Sequence, residues 1–405
     1  MTWGQLKRSK KRRLAEVELA ARETGIHGST LPRVREHYLG NKSVKAVSLR
    51  EVSKHRICSK REAIGRAENI DLLRPYSGAV NYRYEEKPNN RGYRLTVNLP
   101  LKLRLAQTMA KELIRAQHVP AEHIFDWPNR GGCPGAVART GEAIERFGRY
   151  VVVADISDCY SSFDPDYLYQ TNLLPSEFIR AALDSRELRY NLMGKVPFGY
   201  DDTEQTRPRG LLQGGAASSS FLAFALNDLP EHLPDNVVPI TQSDNIIIVC
   251  RSRVECEAAN NALGRYLRDN PAGAFSPRTE LVWLRNPLDD GDSATASWPH
   301  RFEQFGYSFS LRERGECEVG LSHANIMKVM TTMHDYLNLL QPQQASIDDF
   351  DDELRLRLAG FPALTESVID CIAAMLQPDF VQKLLACDRH RRCESDEVNG
   401  RWLSP

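Results

Sequence analysis

Two short stretches of the chain each place an aspartate beside a run of apolar, largely β-branched residues. In Tyr150-Val-Val-Val-Ala-Asp155 the run ends in a carboxylate, and in Asp244-Asn245-Ile-Ile-Ile-Val249 a carboxylate comes first. Such runs predict strands that are buried on both faces. If the two strands lie side by side, their carboxylates meet at one edge of a sheet. Two carboxylates there suit a pair of Mg²⁺ ions for in-line displacement at a phosphate.

A simpler interpretation of either stretch exists. An aspartate at the end of a strand is commonly a helix N-cap or a turn residue without any catalytic role. The remaining elements of the chain decide between the two interpretations, because a catalytic pair needs further groups that bind a nucleotide or a nucleic acid.

The charge of the chain is balanced but unevenly distributed. The whole sequence has 53 Lys+Arg and 53 Asp+Glu, whereas residues 1–60 contain 15 basic and 5 acidic residues, a net charge of about +10. A basic end predicts a polyanion partner, most simply nucleic acid. The alternative is a solvated arm without a partner. The candidate nucleic-acid-binding residues of the densest basic run are Lys10, Lys11, Arg12 and Arg13.

Composition places the chain among soluble globular proteins of two or three domains. It has 405 residues, of which 41% are hydrophobic and 26% charged. Nine scattered cysteines, an odd number, favour reduced thiols and a cytoplasmic location over a disulfide framework. Cys387, His390 and Cys393 resemble half a zinc site. Four ligands at metal-binding spacing are not visible, so the two cysteines are interpreted as ordinary thiols. No signal peptide and no membrane span is expected, since no apolar run approaches ~18 residues.

Periodicity predicts the elements that surround the two strands. Two strands at 82–86 and 93–97 form a hairpin, and a helix over 101–116 follows it. A Gly- and Pro-rich loop over 119–140 is either a connector or a place where backbone approaches a phosphate. The further predictions are a helix over 136–149, mostly helical structure over 166–195, helices over 216–229 and 254–269, strands over 279–284 and 302–309, an acidic loop over 287–297 and helices over 325–390.

Six motifs in this order resemble those of reverse transcriptases over roughly residues 80–320. They are Arg94-x5-Pro100-x3-Arg104-x2-Gln107, Asn129-Arg-Gly-Gly, Asp155-Ile-Ser-Asp-Cys-Tyr160, Leu211-Leu-Gln-Gly214, Gln242-Ser-Asp-Asn245 and Phe305-Gly-Tyr307. The residues of the third motif, Asp155 to Tyr160, are most similar to those of abortive-infection and defence-associated bacterial enzymes. The resemblance implies an α+β fold of the right-handed polymerase type. Its parts would be a basic N-terminal extension (1–80), fingers (81–150), a palm with inserted finger helices (151–320) and a helical thumb or C-terminal region (321–405).

The resemblance also implies roles for individual residues. Asp155, Asp244 and the carbonyl of Ile156 would bind two Mg²⁺ ions, with Mn²⁺ as an alternative, and Asn245 would belong to the catalytic motif. Tyr160 would exclude a ribose 2′-hydroxyl. The other implied contacts are with the nucleotide, through Arg94, Asp158 and Gln213, and with nucleic acid, through Arg104, Arg130 and Gly306.

Several positions depart from the family pattern. Asn245 replaces a second aspartate and is a weaker Mg²⁺ ligand; Gln242 replaces a tyrosine and Leu212 a proline. The lysine of a further motif is not evident, and Arg278 or Arg285 are the candidates to replace it. The prediction is nevertheless an active enzyme.

The predicted function is that of an RNA-directed DNA polymerase that adds dNTPs to a 3′-hydroxyl, in bacterial antiphage defence with a noncoding RNA as template or scaffold. The primer, a protein tyrosine or an RNA hydroxyl, stays open, as do a homo-oligomer and a partner polymerase or effector. The alternatives are a non-catalytic nucleic-acid-binding scaffold and a viral RNA-dependent RNA polymerase.

Overall fold

The computed structural model describes residues 2–53, 58–87, 92–197, 207–285, 298–312 and 315–325. Within these ranges, none of the helices is both long and apolar enough to cross a membrane. The predicted acidic loop, nearly all of the predicted C-terminal helical region and the Cys387, His390 and Cys393 group lie outside the described residues. So do the central residues of the turn between the first two predicted strands.

The described residues form a mixed fold of helices and three sheets. The helices are α1 (Trp3–Thr24), α2 (Leu31–Gly40), α3 (Lys42–Val52), α4 (Lys60–Asn69), α5 (Leu101–Gln117), α6 (Gly132–Arg146), α7 (Cys159–Ser162), α8 (Pro165–Gln170), α9 (Ser176–Ala182), α10 (Ser218–Ala225), α11 (Leu229–His232) and α12 (Arg253–Arg268). The strands are β1 (Ala79–Glu86), β2 (Tyr93–Asn98), β3 (Tyr150–Ser157), β4 (Arg189–Leu192), β5 (Val238–Gln242), β6 (Asn245–Cys250), β7 (Ser276–Trp283), β8 (Phe302–Gln304), β9 (Tyr307–Leu311) and β10 (Cys317–Leu321). Two short 3₁₀ turns span Pro128–Arg130 and Ser185–Glu187.

The central sheet has the strand order β5-β6-β3-β7, and every neighbouring pair is antiparallel. Helix α10 lies between β3 and β5 in the chain and α12 between β6 and β7, which gives a β-α-β-β-α-β arrangement. Side chains alternate along β3, so Val152 and Ala154 pack in one apolar cluster while Val151 and Val153 pack in another. The two aspartate-bearing stretches therefore lie side by side, which is the condition under which the sequence predicts that their carboxylates meet.

The second sheet corrects one prediction. Strands β1 and β2 form the predicted antiparallel hairpin, but β4 pairs with β1 in parallel within a segment that was predicted to be mostly helical. The helices there end at Ala182. Tyr190 then lies opposite Val80, and its ring packs 6.1 Å from that of Tyr82. The strand forms because this distant apolar partner is present, which local periodicity does not reveal.

Two further boundaries differ from the predictions. Helix α6 begins at Gly132, inside the predicted Gly- and Pro-rich loop, because Gly131 takes up a left-handed conformation (φ 81°) and Pro134 falls in the first turn, where no N–H is needed. The aromatic segment predicted as one strand is the hairpin β8–β9, with positive φ angles at Phe305 and Gly306 in the turn.

The basic N-terminal segment packs as part of the main apolar core. Val17 and Leu31 belong to the same buried cluster as Leu103 of α5. The Lys10 ammonium lies 2.7 Å from a carboxylate oxygen of Glu51 and 2.7 Å from one of Glu112, and its side chain is 11% exposed. Lys10 is therefore engaged inside the protein, which corrects its expected place on a nucleic-acid-binding surface.

Replacement of Lys10 should destabilise the fold, whereas the same change at its neighbour should not. We expect Lys10→Met to lower the free energy of unfolding by about 2 kcal/mol, because Glu112 would lose its counterion in a partly buried position. Lys11 is exposed, so Lys11→Met should change it by less than about 0.5 kcal/mol. Chemical unfolding of the two variants measures the difference, and equal stabilities would contradict the structural role of Lys10.

Candidate functional site

One cleft brings together the residues that the sequence predicted to bind metal and nucleotide. Its volume is about 710 Å³, and it lies between the end of the central sheet and the β1–β2 hairpin. The predicted residues that line it are Arg94, Asp155, Ile156, Asp158, Tyr160, Gln213 and Asp244. They come from strands β2 and β3, from the short helix α7 and from three loops, so tertiary packing brings distant parts of the chain together here.

The two aspartates are held together by backbone pairing. Asp155 of β3 stands opposite Asn245 of β6, and Asp244 lies one residue earlier, in the two-residue turn between β5 and β6. The N–H of Ile156 donates to the carbonyl of Asp244 at 3.0 Å. In an antiparallel strand the N–H and C=O of one residue point to the same side. The Ile156 carbonyl is therefore directed towards the Asp244 turn.

The electrostatics of Asp244 reflect its crowded position. Burial raises the pKa of Asp244, and the negative charge of Asp155 raises it further. The Asn245 amide donates to the Asp244 carboxylate at 3.0 Å. Asn245, which was predicted as catalytic, is not among the residues that line the cleft. In the structure it orients the neighbouring carboxylate, and an aspartate at its position could not donate this hydrogen bond.

The oxygen atoms in this corner of the cleft fit a hard divalent cation. Mg²⁺ is commonly held by one or two carboxylates together with substrate phosphates, and Asp155 and Asp244 provide the two carboxylates. A cation would also offset the repulsion that raises the pKa of Asp244. Within the described ranges, no group of three or more His, Cys, Asp or Glu side chains is arranged to hold a metal. The donor set of the protein is thus two carboxylates, with the nearby backbone carbonyl of Ile156.

Tyr160 is fixed against the same turn. Its hydroxyl and that of Ser243 are hydrogen-bonded at 2.5 Å, and its carbonyl accepts from the N–H of Leu211 at 2.8 Å. Burial raises the pKa of Tyr160, so the phenol stays neutral. The Tyr160 ring is therefore a fixed, uncharged part of the cleft lining, and it is hydrogen-bonded to Ser243, the residue before Asp244.

Three cationic side chains line the cleft, and two of them are paired with acids. Arg94 lies 3.2 Å from Glu85, and Lys87 lies 3.4 Å from Asp158 across the gap between the two sheets. Arg278, on β7, stands opposite Asp155 of β3 and forms no ion pair with any described residue.

The two cations that the sequence offered in place of a family lysine differ in position. Arg278 lines the cleft, whereas Arg285 is not among its lining residues. The structure therefore favours Arg278. The sequence could not choose between the two arginines, because the choice depends on the register of β7, which only the strand pairing supplies.

The segment around Gln213 is anchored by its backbone and leaves its side chain for the cleft. The Gln213 carbonyl accepts from the N–H of Val97 at 3.2 Å, while its side-chain Oε1 is buried and has no hydrogen-bond partner within the described ranges. Gly214 has φ 100°, and a Cβ there would lie 3.1 Å from the Val97 carbonyl, so the close approach requires glycine. Gln107 fixes the next turn, because its Oε1 accepts from the N–H of Ala217.

The other predicted residues lie elsewhere. Arg104 is exposed on α5, and the Arg130 guanidinium donates to the Pro120 carbonyl at 3.3 Å. The carbonyl of Gly306 accepts from the Asn325 amide at 2.8 Å. Lys11, Arg12 and Arg13 lie on α1 with Lys10, where Arg12 and Arg13 are both within ion-pair distance of Glu16.

Sequence reasoning missed Asp126, which is hydrogen-bonded to the turn that carries Asp244. Its Oδ2 accepts from the N–H of Ser243 at 2.8 Å, and its main-chain carbonyl accepts from Arg115 at 2.8 Å. Burial raises the pKa of Asp126 to about 6. In the sequence it is a single aspartate in a Gly- and Pro-rich stretch, with no spacing that could have distinguished it.

Comparison with known proteins does not assign a family. No protein-family model matches the chain, and no curated protein matches it. The functional interpretation therefore depends on the geometry of the cleft and on the residue types within it.

The raised pKa of Asp126 predicts a pH-dependent effect of its replacement. A folded-state pKa of about 6 lies above the usual 3.8, so the folded protein binds the proton more tightly, and the stability that this gives is lost as the pH rises from about 4 to about 6. Asp126→Asn does not titrate. Its thermal midpoint relative to the wild type should therefore be higher at pH 7.5 than at pH 4.5, by the equivalent of about 2 kcal/mol.

The exposed Glu122, on the same segment, provides the control. The relative midpoint of Glu122→Gln should be nearly the same at both pH values. A difference between Asp126→Asn and wild type that does not change with pH would contradict the shifted pKa.

Proposed function

We propose that this protein is a reverse transcriptase, an RNA-directed DNA polymerase that joins a dNTP to a 3′-hydroxyl with release of pyrophosphate. The observation that carries the proposal is the gathering of Asp155, Asp244 and the predicted nucleotide-binding residues in one cleft. Strands, a short helix and loops supply these residues, and the sequence resemblance assigns all of them to one reaction.

The metal-binding part of the proposed site consists of Asp155, Asp244 and the Ile156 carbonyl. Mg²⁺, or Mn²⁺ as an alternative, supplies there the positive charge that favours ionisation of the attacking hydroxyl and stabilises the leaving phosphate. The protein holds the two carboxylates adjacent through the Ile156–Asp244 backbone bond and orients one of them through Asn245.

The nucleotide-binding part combines three cationic side chains with the aromatic ring of Tyr160. Arg94, Lys87 and Arg278 offer charge-assisted hydrogen bonds to a triphosphate. Because Arg94 and Lys87 are paired with Glu85 and Asp158, phosphates would compete with these carboxylates for them. The fixed ring of Tyr160 would contact the sugar.

Gln213 is the side chain best placed to add a directional contact. Gln213 lines the cleft, and its Oε1 is a buried acceptor without a hydrogen-bond partner among the described residues. An unpaired buried acceptor is unfavourable, so a donor on the ligand would be bound well there. A base or sugar of the nucleotide carries such donors.

The RNA partner is proposed to contact the outer face of α1. Lys7, Arg8 and Lys11 are exposed, their spacing of i, i+1 and i+4 puts them on one side of the helix, and they form no ion pair with any described residue. Lys10, in contrast, faces the core. This face matches the regular charge of a phosphate backbone. A cytoplasmic role in bacterial antiphage defence with a noncoding RNA follows from the resemblance alone.

The second candidate function is a scaffold that binds nucleic acid without catalysis. Asn245 favours it, because a second aspartate is missing from the catalytic turn and the described part of the chain holds no group of three metal ligands. The third candidate, an RNA-dependent RNA polymerase, would use ribonucleotides instead. One assay separates the three.

The assay measures incorporation of labelled dNTPs and rNTPs by the purified protein with its co-purifying RNA, in Mg²⁺ or Mn²⁺. We expect dNTP incorporation, reduced at least 100-fold in Asp155→Asn and in Asp244→Ala because each variant removes a metal ligand. Asp235→Ala, an exposed aspartate in the turn before β5, provides the matched control and should incorporate at the wild-type rate.

The other outcomes favour the other candidates. Incorporation of rNTPs in preference to dNTPs would favour the RNA-dependent enzyme. Absence of incorporation with RNA bound would favour the scaffold. Equal activity of Asp244→Ala and Asp235→Ala would show that a different site, or a contaminant, makes the product.

RNA binding should depend on the outer face of α1. We expect the triple variant Lys7→Gln/Arg8→Gln/Lys11→Gln to bind the co-purifying RNA at least tenfold more weakly. The slope of log affinity against log salt should also become shallower by about 2, because fewer counterions are released when fewer phosphates are neutralised. Arg253→Gln/Arg265→Gln/Arg268→Gln removes three charges from α12 and is the matched control. Equal losses in the two triple variants would contradict a specific role of α1.

A further inference from the structure

The turn that carries Asp244 contains a residue in an unfavourable backbone conformation. Ser243 has φ 59°, in the left-handed region that side chains other than glycine seldom occupy. Such a conformation persists only where surrounding contacts hold it. The contacts of Ser243 therefore determine where the next residue, Asp244, points.

Two side chains from different parts of the chain hold Ser243. The Asp126 carboxylate accepts a hydrogen bond from its N–H at 2.8 Å, and the Tyr160 hydroxyl bonds its Oγ at 2.5 Å. A charged acceptor makes a shorter and stronger hydrogen bond with a backbone N–H than a neutral one. Asp126 thus provides a charge-assisted constraint on the turn.

Asp126 is itself held firmly beside the turn. The segment before it runs parallel to the end of β5: Ile124 forms a bridge with Thr241, and the N–H of Phe125 donates to the Thr241 carbonyl at 2.9 Å. In the other direction the N–H of Thr241 donates to the His123 carbonyl at 2.7 Å. These bonds align Asp126 with the first residue after β5, which is where its acceptor is needed.

We propose that Asp126 is a positioning residue that fixes the Ser243–Asp244 turn and thereby places the Asp244 carboxylate in the cleft. Asp126 is not among the residues that line the cleft, so it acts through the turn and not on the nucleotide. The Ile156 N–H holds the turn from the other side, at the Asp244 carbonyl. The inference rests on the proposed function, in which Asp244 is a metal ligand.

A matched pair of variants isolates the hydrogen bond. Asp126→Asn and Asp126→Leu are similar in size and both lack the charge, but only asparagine keeps an acceptor oxygen for the Ser243 N–H. A role of the Asp126 charge alone would affect the two variants alike. Their difference reports on the positioning contact.

The first measurement is hydrogen–deuterium exchange of the peptide that spans 241–246. We expect the Ser243 amide to exchange at least tenfold faster in Asp126→Leu than in Asp126→Asn, because only the leucine variant removes its acceptor. Equal exchange would overturn the inference. If the leucine variant does not fold, as judged by its thermal midpoint, Asp126→Ala replaces it in the same comparison.

The second measurement is the rate of dNTP incorporation, which should be at least tenfold lower in Asp126→Leu than in Asp126→Asn and should recover partly at higher Mg²⁺ concentration. Equal rates together with different exchange would overturn the link between the turn and Asp244. If the wild type incorporates nothing, the proposed function fails, yet the exchange comparison still decides whether Asp126 holds the turn.

Discussion

The antiparallel pairing of β3 with β6 is the interaction on which the cleft depends. Its register sets Asp155 opposite Asn245, and the turn that starts β6 then brings Asp244 beside Ile156. Both strands are apolar on both faces, so a shift of one residue would separate the carboxylates without any gain in burial elsewhere.

Bringing two carboxylates into one partly buried corner is electrostatically unfavourable, and the surroundings of Asp244 show how the protein tolerates it. The Asn245 amide donates to the Asp244 carboxylate, and Arg278 stands across from Asp155. An asparagine at position 245 thus avoids a third negative charge and adds a donor. In the proposed polymerase, this departure from the family pattern would remove one metal ligand and would hold the remaining ligand of the turn, Asp244, in a fixed orientation.

Charges in the N-terminal region serve two different purposes, which composition alone cannot distinguish. Lys10 forms a partly buried network with Glu51 and Glu112, and the Tyr38 hydroxyl donates to the same Glu112. Lys7 and Lys11, on the same helix, remain exposed. The net charge of this segment thus overstates how much of it is available to a polyanion.

Local sequence patterns predicted the strands beside Asp155 and Asp244, the β1–β2 hairpin, and the helices of strong periodicity such as Arg253–Arg268. These follow from local composition and alternation, which are properties of neighbouring residues. The sequence also named seven residues that line the cleft, because the order of the motifs resembles a known family. Other features of the fold and of the cleft depend on contacts between distant parts of the chain. Strand β4 exists because Tyr190 reaches β1, Arg278 lines the cleft because of its register on β7, and Asp126 reaches Ser243 across 117 residues of sequence. Contacts between residues so distant in the chain leave no periodic signal in a single sequence, since their partners are brought together only when the core packs.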